Sequence, residues 1–183
     1  TYITAAELIQ YRISLLVNYG LIGLCIVLAV LFLFLRRNTA IWVALGIPIA
    51  FLATFAVMLV TGQSINMISL FGLIMALGIV VDDAIVVSEN IHSHQQRKGF
   101  SLLSAIRGAQ EVVKPVIFAV LTTVAAFLPL VMVPGNTGKI MRGIPLVVIP
   151  TLLFSLVESL LVLPCHLSHR APASSHGNRA GLR

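Results

Sequence analysis

The stretch GLIMALGIVVDDAIVVSEN, residues 72–90, decides the fold. From Met67 to Asn90 the only charged residues are Asp82, Asp83 and Glu89. A helix rises about 1.5 Å per residue, so one entering a bilayer near Met67 carries Asp82 about 22 Å inward. That is roughly two-thirds of the way across a hydrocarbon core of about 30 Å. The apolar run continues beyond the pair through Ala84, Ile85, Val86 and Val87. The two acids therefore lie inside the hydrocarbon region. One charge there costs at least about 2.5–3.5 kcal/mol. Acidic side chains are too short to reach the head groups across two helical turns, so the pair needs a functional reason.

The rest of the chain fits a membrane setting. Of its 183 residues, 58% are hydrophobic and 10% are charged. Soluble domains carry about 25% charged residues. The mean hydropathy is +1.04. Disorder needs the opposite composition, and a water-soluble globule is excluded on the same ground. Four further runs resemble the first: 13–35, 40–61, 115–133 and 143–164, of which the last holds one acid, Glu158. Each approaches the 20 or so residues that a spanning helix needs. Continuous apolar runs without period-two alternation are helical, and helices satisfy their own backbone in lipid. The predicted fold is all-α integral membrane, with five transmembrane helices at 13–35, 40–61, 67–90, 115–133 and 143–164.

Charge sets the orientation. Arg36, Arg37, Arg97, Lys98, Arg107, Lys114, Arg170, Arg179 and Arg183 fall on one side, against Arg12, Lys139 and Arg142 on the other. Positive residues accumulate in cytoplasmic loops. The amino terminus is expected outside and the carboxyl terminus inside. A chain starting outside with Thr1 and no leader is expected to be an internal piece of a longer protein. The net charge of +6 reads as a basic inner rim against anionic lipid. No stretch interleaves aromatics with these bases, which argues against nucleic acid. Cys25 and Cys165 differ in depth by several turns, so no disulfide is expected.

Between the spans, residues 1–12 read as an amphipathic lead-in on the outer surface. Arg36-Arg37-Asn38 makes a tight hairpin, and Asn66 is an N-cap. Leu102, Leu103, Ile106, Ala109 and Val113 recur at helical spacing, which predicts a cytoplasmic amphipathic helix over 92–112. His92 and His94 lack a third ligand, so no metal is expected, and no cofactor either. Pro134 to Gly138 reads as a turn. The tail 171–183 reads as disordered.

The chemistry centres on Asp82 and Asp83. Burial and mutual repulsion both favour the protonated acid. A pair held in this way loads and releases protons as one coupled unit. No Lys or Arg is embedded in these spans, so the counter-charge comes from outside the chain. Glu89, two turns further along, is a possible lining of a proton path. Glu158 lies 15 residues after Gly143, at a depth similar to Asp82, and could join the same path or meet a partner helix. Thr122 and Thr123, midway along the fourth span, are further candidates, with bonding to their own helix as the ordinary alternative. Gly72, Ala76 and Gly78 are small enough to let another helix approach. An enzyme is not expected: an intramembrane aspartyl protease brings two Asp from different helices around one water, whereas adjacent residues diverge by about 100°.

Val81-Asp82-Asp83-Ala84-Ile85-Val86-Val87, followed by Glu89-Asn90, resembles the fourth transmembrane helix of resistance-nodulation-division (RND) efflux permeases. Ser64-Ile65-Asn66, Lys114-Pro115, Thr137-Gly138 and the run from Glu158 to Pro164 resemble that family too. The paired Asp resembles the multidrug, hydrophobe-and-amphiphile branch. Heavy-metal exporters tend to have Gly after the second acid and another acid six residues before it, where this chain has Ala84 and Leu77. The resemblance implies half of an RND-type transmembrane domain, helices two to six of twelve. It implies a proton-driven permease in the bacterial inner membrane whose Asp pair alternates between protonation and a salt bridge to a Lys of the missing second half. It also implies a homotrimer that joins a periplasmic adaptor and an outer-membrane channel. The alternative is a non-transporting relative, a lipid-sensing or assembly module.

Overall fold

In a computed structural model, the structure describes residues 5–35 and 37–168. All regular elements among them are helical: α1 (Ala5–Phe34), α2 (Arg37–Val60), α3 (Met67–Lys98), α4 (Leu102–Met132), α5 (Gly135–Met141), α6 (Pro145–Val157), a π-helical turn (Glu158–Val162) and α7 (Leu163–Ser168). Five stretches are long and apolar enough to cross a membrane: Gln10–Leu33, Thr39–Val60, Met67–Lys98, Leu102–Met132 and Gly135–Leu167.

The central helix is α3, which packs against α1, α2, α4 and α6. Its amino-terminal end is set by Asn66, whose Oδ1 accepts from the N–H groups of Ile68 (2.9 Å) and Ser69 (3.0 Å). Ser69 Oγ accepts the Asn66 N–H in return at 2.7 Å, closing a reciprocal cap. Along α3 the buried positions Leu73, Ala76, Val80, Ala84, Val87 and Ile91 recur every three or four residues. From Ala76 onward this stripe meets Val43 and Ile47 of α2, Ala105, Ala109 and Val120 of α4, and Val148 and Leu152 of α6 in one core, while Leu73 packs with Met58 and Val147 in a second cluster. The closest approach is at Gly108. A Cβ there would lie 2.7 Å from Ile91 Cα, so only glycine lets α4 sit this near α3.

Three expectations are corrected. The separate amphipathic helix over 92–112 does not form. Residues 92–98 prolong α3, and 102–114 are the first turns of α4. Gly99, at φ 89°, ends α3 with its N–H on Gln95 O, and Ser101 Oγ caps α4 by accepting from Ser104 N–H at 3.1 Å. A left-handed glycine followed by a serine cap is a break. The lead-in 1–12 is not distinct either: from Ala5 onward it belongs to α1. Pro134 to Gly138 is not a simple turn, because α5 begins at Gly135. Gly138 faces the Val133 carbonyl, where a Cβ would collide, so the chain can coil back on itself there. The tail 171–183 lies outside the described residues.

The fifth span is irregular for a local reason. Pro164 has no N–H to give the Leu160 carbonyl, and its ring crowds that oxygen. The helix widens instead. Leu163 N–H reaches back five residues to Glu158 O. Widened turns of this kind recur at functional sites.

Candidate functional site: acids within the helix bundle

Asp83 follows the buried stripe of α3 and is 8% exposed. Its Oδ2 is buried and has no hydrogen-bond partner. Asp82, one residue earlier, is exposed. The difference follows from the turn of about 100° per residue. Asp82 belongs to a second stripe, Phe71, Met75, Gly78, Asp82, Val86 and Glu89, and every member of it is exposed. One acid thus points into the half-bundle while its neighbour lies on an uncovered face. An unpaired buried carboxylate is costly. A proton or a positive partner removes the cost, and either can be exchanged.

Glu158 is also 8% exposed. Its carboxyl rests on Gly46 of α2: a methyl group at Gly46 would collide with the carboxyl carbon and both oxygens. Among the described residues no hydrogen bond joins Glu158 to Asp82 or Asp83. It lines a cleft of about 240 Å³ between α2 and the α6–α7 span. The structure therefore turns this acid toward α2.

Residues 1–177 match the AcrB/AcrD/AcrF family. The chain belongs to that family. It is 36% identical over 163 residues to the multidrug resistance protein MdtC of Yersinia enterocolitica, covering 88% of this chain and 16% of that protein. Against MdtC of Salmonella arizonae the identity is 41% over 144 residues, 78% of this chain and 14% of the relative. Against MdtC of Escherichia coli it is 37% over 164 residues, 89% and 16%. The chain spans about one-sixth or less of these relatives. The resemblance to RND multidrug permeases is thus family membership. With its five apolar spans, this AcrB/AcrD/AcrF member is a multipass membrane protein.

Elsewhere in this family member, Glu89 is exposed and lines an inner cleft of about 510 Å³ with Thr39, Ser88, His92 and Gln96. Gln96 Nε2 and His92 Nε2 lie 2.9 Å apart. Thr122 and Thr123 bond to their own helix, to Phe118 O at 2.7 Å and Ala119 O at 3.0 Å, and so contact none of the acids through their hydroxyls. Gly72 abuts α6, with a Cβ placed 3.3 Å from Ile144 O. Ala76 is fully buried. Gly78 meets nothing within 4 Å and lies on the exposed stripe with Asp82.

Sequence reasoning missed three features. Gly46 is one of several glycines in apolar runs, and nothing local marks its pairing with Glu158. Thr54 and Thr151 share a buried hydrogen bond of 3.0 Å between α2 and α6. At the inner end, Asn90 Nδ2 donates to Gly108 O (2.6 Å) and Glu111 Oε2 (3.2 Å), while His94 Nδ1 lies 3.4 Å from the same Glu111 oxygen. A polar residue every three or four positions at the end of α3 was the available signal for that latch.

Proposed function

We propose that this chain is the proton-handling half of the membrane domain of a proton-driven RND multidrug efflux permease, with Asp82 and Asp83 as the relay. The observation that supports this best is the pairing of environments on α3. Asp83 is buried with an unpartnered oxygen, and Asp82 opens onto a bare helical stripe. The bare stripe contains Gly78, small enough for a second helix to come close. A Lys on that helix, from the second half of the permease, would supply the charge that the spans here lack. Proton loading would break the salt bridge and let the two halves shift. Glu89 lies on the same stripe as Asp82, borders the cleft between α3 and the α1–α2 hairpin, and would form the inner part of the path. Glu158, Thr122 and Thr123 hold lesser places in this reading. The chemistry is transport and not covalent catalysis.

The family implies the remaining setting. The permease would sit in the bacterial inner membrane, with the start of this segment periplasmic and its end cytoplasmic. It would form a homotrimer that engages a periplasmic adaptor and an outer-membrane channel. The test is Asp82→Asn and Asp83→Asn, separately, in the complete protein containing these residues. Each variant should lose efflux while expression and trimer formation stay unchanged. Wild-type drug resistance in both would end the relay assignment and favour the lipid-sensing or assembly alternative.

A further inference from the structure

The cleft beside Glu158 plays no part in the relay and has features of its own. Glu158 lies 13 residues beyond Pro145, about 20 Å along the span at 1.5 Å per residue. It is more than nine-tenths buried and faces the cleft, the described residues offer its carboxyl no hydrogen bond or ion pair within 4 Å, and the nearest positive influence on it is the more distant His166 ring at the cleft's end. The walls are Leu45, Pro48 and Ile49 of α2 and Val162 of the π-turn. Leu45 and Ile49 are about half exposed, so the mouth opens toward the hydrocarbon side. The inner end is closed by Trp42 and His166, whose rings lie 4.2 Å apart and tilted. His166 Nδ1 sits 2.9 Å from Val162 O, the geometry of a ring that donates there. Among the described residues no Lys or Arg lines the cleft.

A carboxylate in apolar surroundings calls for a compact positive partner. The hydrocarbon walls suit an alkyl or aryl stem, and an indole face attracts ammonium. The volume of about 240 Å³ is below the range of about 300–1,000 Å³ usual for drug-sized ligands. It fits a head and a short stem, not a whole amphiphilic drug. We infer that the α2–α6 cleft is a binding site for a protonated lipophilic primary amine, which enters from the bilayer, sets its ammonium on the Glu158 carboxylate and lays its stem against Leu45, Pro48 and Ile49. The site stands independently of the Asp pair. Gly46 is glycine because the carboxyl needs the space above it, and the π-turn sets the register in which Glu158 faces α2.

The test is photolabelling of the complete protein in phosphatidylcholine vesicles. The probes are an alkylamine carrying a diazirine next to its nitrogen and the matching alcohol, and labelled peptides are mapped. The amine should label segments 42–49 and 158–166 at least about thirtyfold more than the alcohol, the least expected when one partner of a buried charge pair is removed. Glu158→Gln should bring amine labelling down to the alcohol level. His166→Lys, at an exposed position, should do the same by placing a tethered ammonium at the cleft. Equal labelling by amine and alcohol overturns the site, as does amine labelling that survives Glu158→Gln. No labelling of the unaltered protein also overturns it, since another part of the protein then fills the cleft. Loss of labelling in phosphatidylethanolamine vesicles supports the ammonium site and identifies the ethanolamine head group as its bilayer occupant.

Discussion

Thr54 and Thr151 show how single residues stitch apolar helices together. Thr151 gives its proton to Val147 O at 2.7 Å, and the single proton of Thr54 is shared between Ala50 O of its own helix at 2.8 Å and the Thr151 oxygen at 3.0 Å. Interhelical hydrogen bonds of this kind contribute about 0.6 kcal/mol on average and up to about 1.7 kcal/mol. Replacing each Thr by Val, singly and together, should show a coupling in that range in a double-mutant cycle of detergent unfolding. Gly46 and Glu158 make a sterically tighter pair. Gly46→Ala places a methyl group where the carboxyl lies; because the carboxyl is the free end of a flexible side chain, the loss of stability should be about 1 kcal/mol, at the low end of overpacking. Adding Glu158→Ala should recover most of that loss in the same unfolding assay. Neither pair is legible along the chain. Their members are 97 and 112 residues apart in sequence, and periodicity reports which face of a helix is apolar, not which neighbour it meets. When spans are apolar all round, even the face is obscured.

At the scale of elements, the spans are legible in the sequence and their joints are not. Long uncharged runs announce helices because lipid leaves the backbone no other choice. The junction at Gly99 is masked by the helical spacing on either side, although Gly99 and Ser101 carry the stop and start signals. The spacing of Leu102 to Val113 is correct in period, but it belongs to α4, where those residues begin a span. The π-turn is equally hidden, although its cause, Pro164, stands in the sequence. Pro164→Ala restores an N–H and should allow regular bonding through the turn. Closing up one residue rotates α7 by about 100° relative to α6. His166 should then leave Trp42, which would be seen as a change in the indole emission of this chain's only tryptophan. Gly108→Val should be more damaging, since the branched side chain meets the α3 backbone. Thermal unfolding should fall well below that of a Val substitution at Gly78, where the structure leaves open space.

For the whole molecule the decisive feature is asymmetry of cover. The inner face of α3 is packed, and the stripe of Phe71, Met75, Gly78, Asp82, Val86 and Glu89 is bare. If that stripe receives the second half of the permease, Gly78→Phe should leave membrane insertion intact yet reduce drug efflux severely. Efflux assays paired with membrane-fraction immunoblots check both outcomes. The acids of the candidate site are legible because a charge is conspicuous in a hydrocarbon run. Which of the two faces inward is not, since that depends on where α6 and α4 come to rest.

The first helix carries a different consequence. Only 6% of its most apolar window is buried inside the bundle, so its lean is governed by what surrounds the protein. The span Gln10–Leu33 is 24 residues, and its uncharged part from Ile13 is about 32 Å at 1.5 Å per residue, slightly more than a hydrocarbon slab of about 30 Å. The excess is relieved by leaning or by thickening the lipid nearby. Where lipid and not another helix of the whole protein lies against it, α1 should follow bilayer thickness while α3 holds its level. Spin labels at Tyr19 and Leu33 should change depth between short-chain and long-chain vesicles, while a label at Met75 on α3 holds its level.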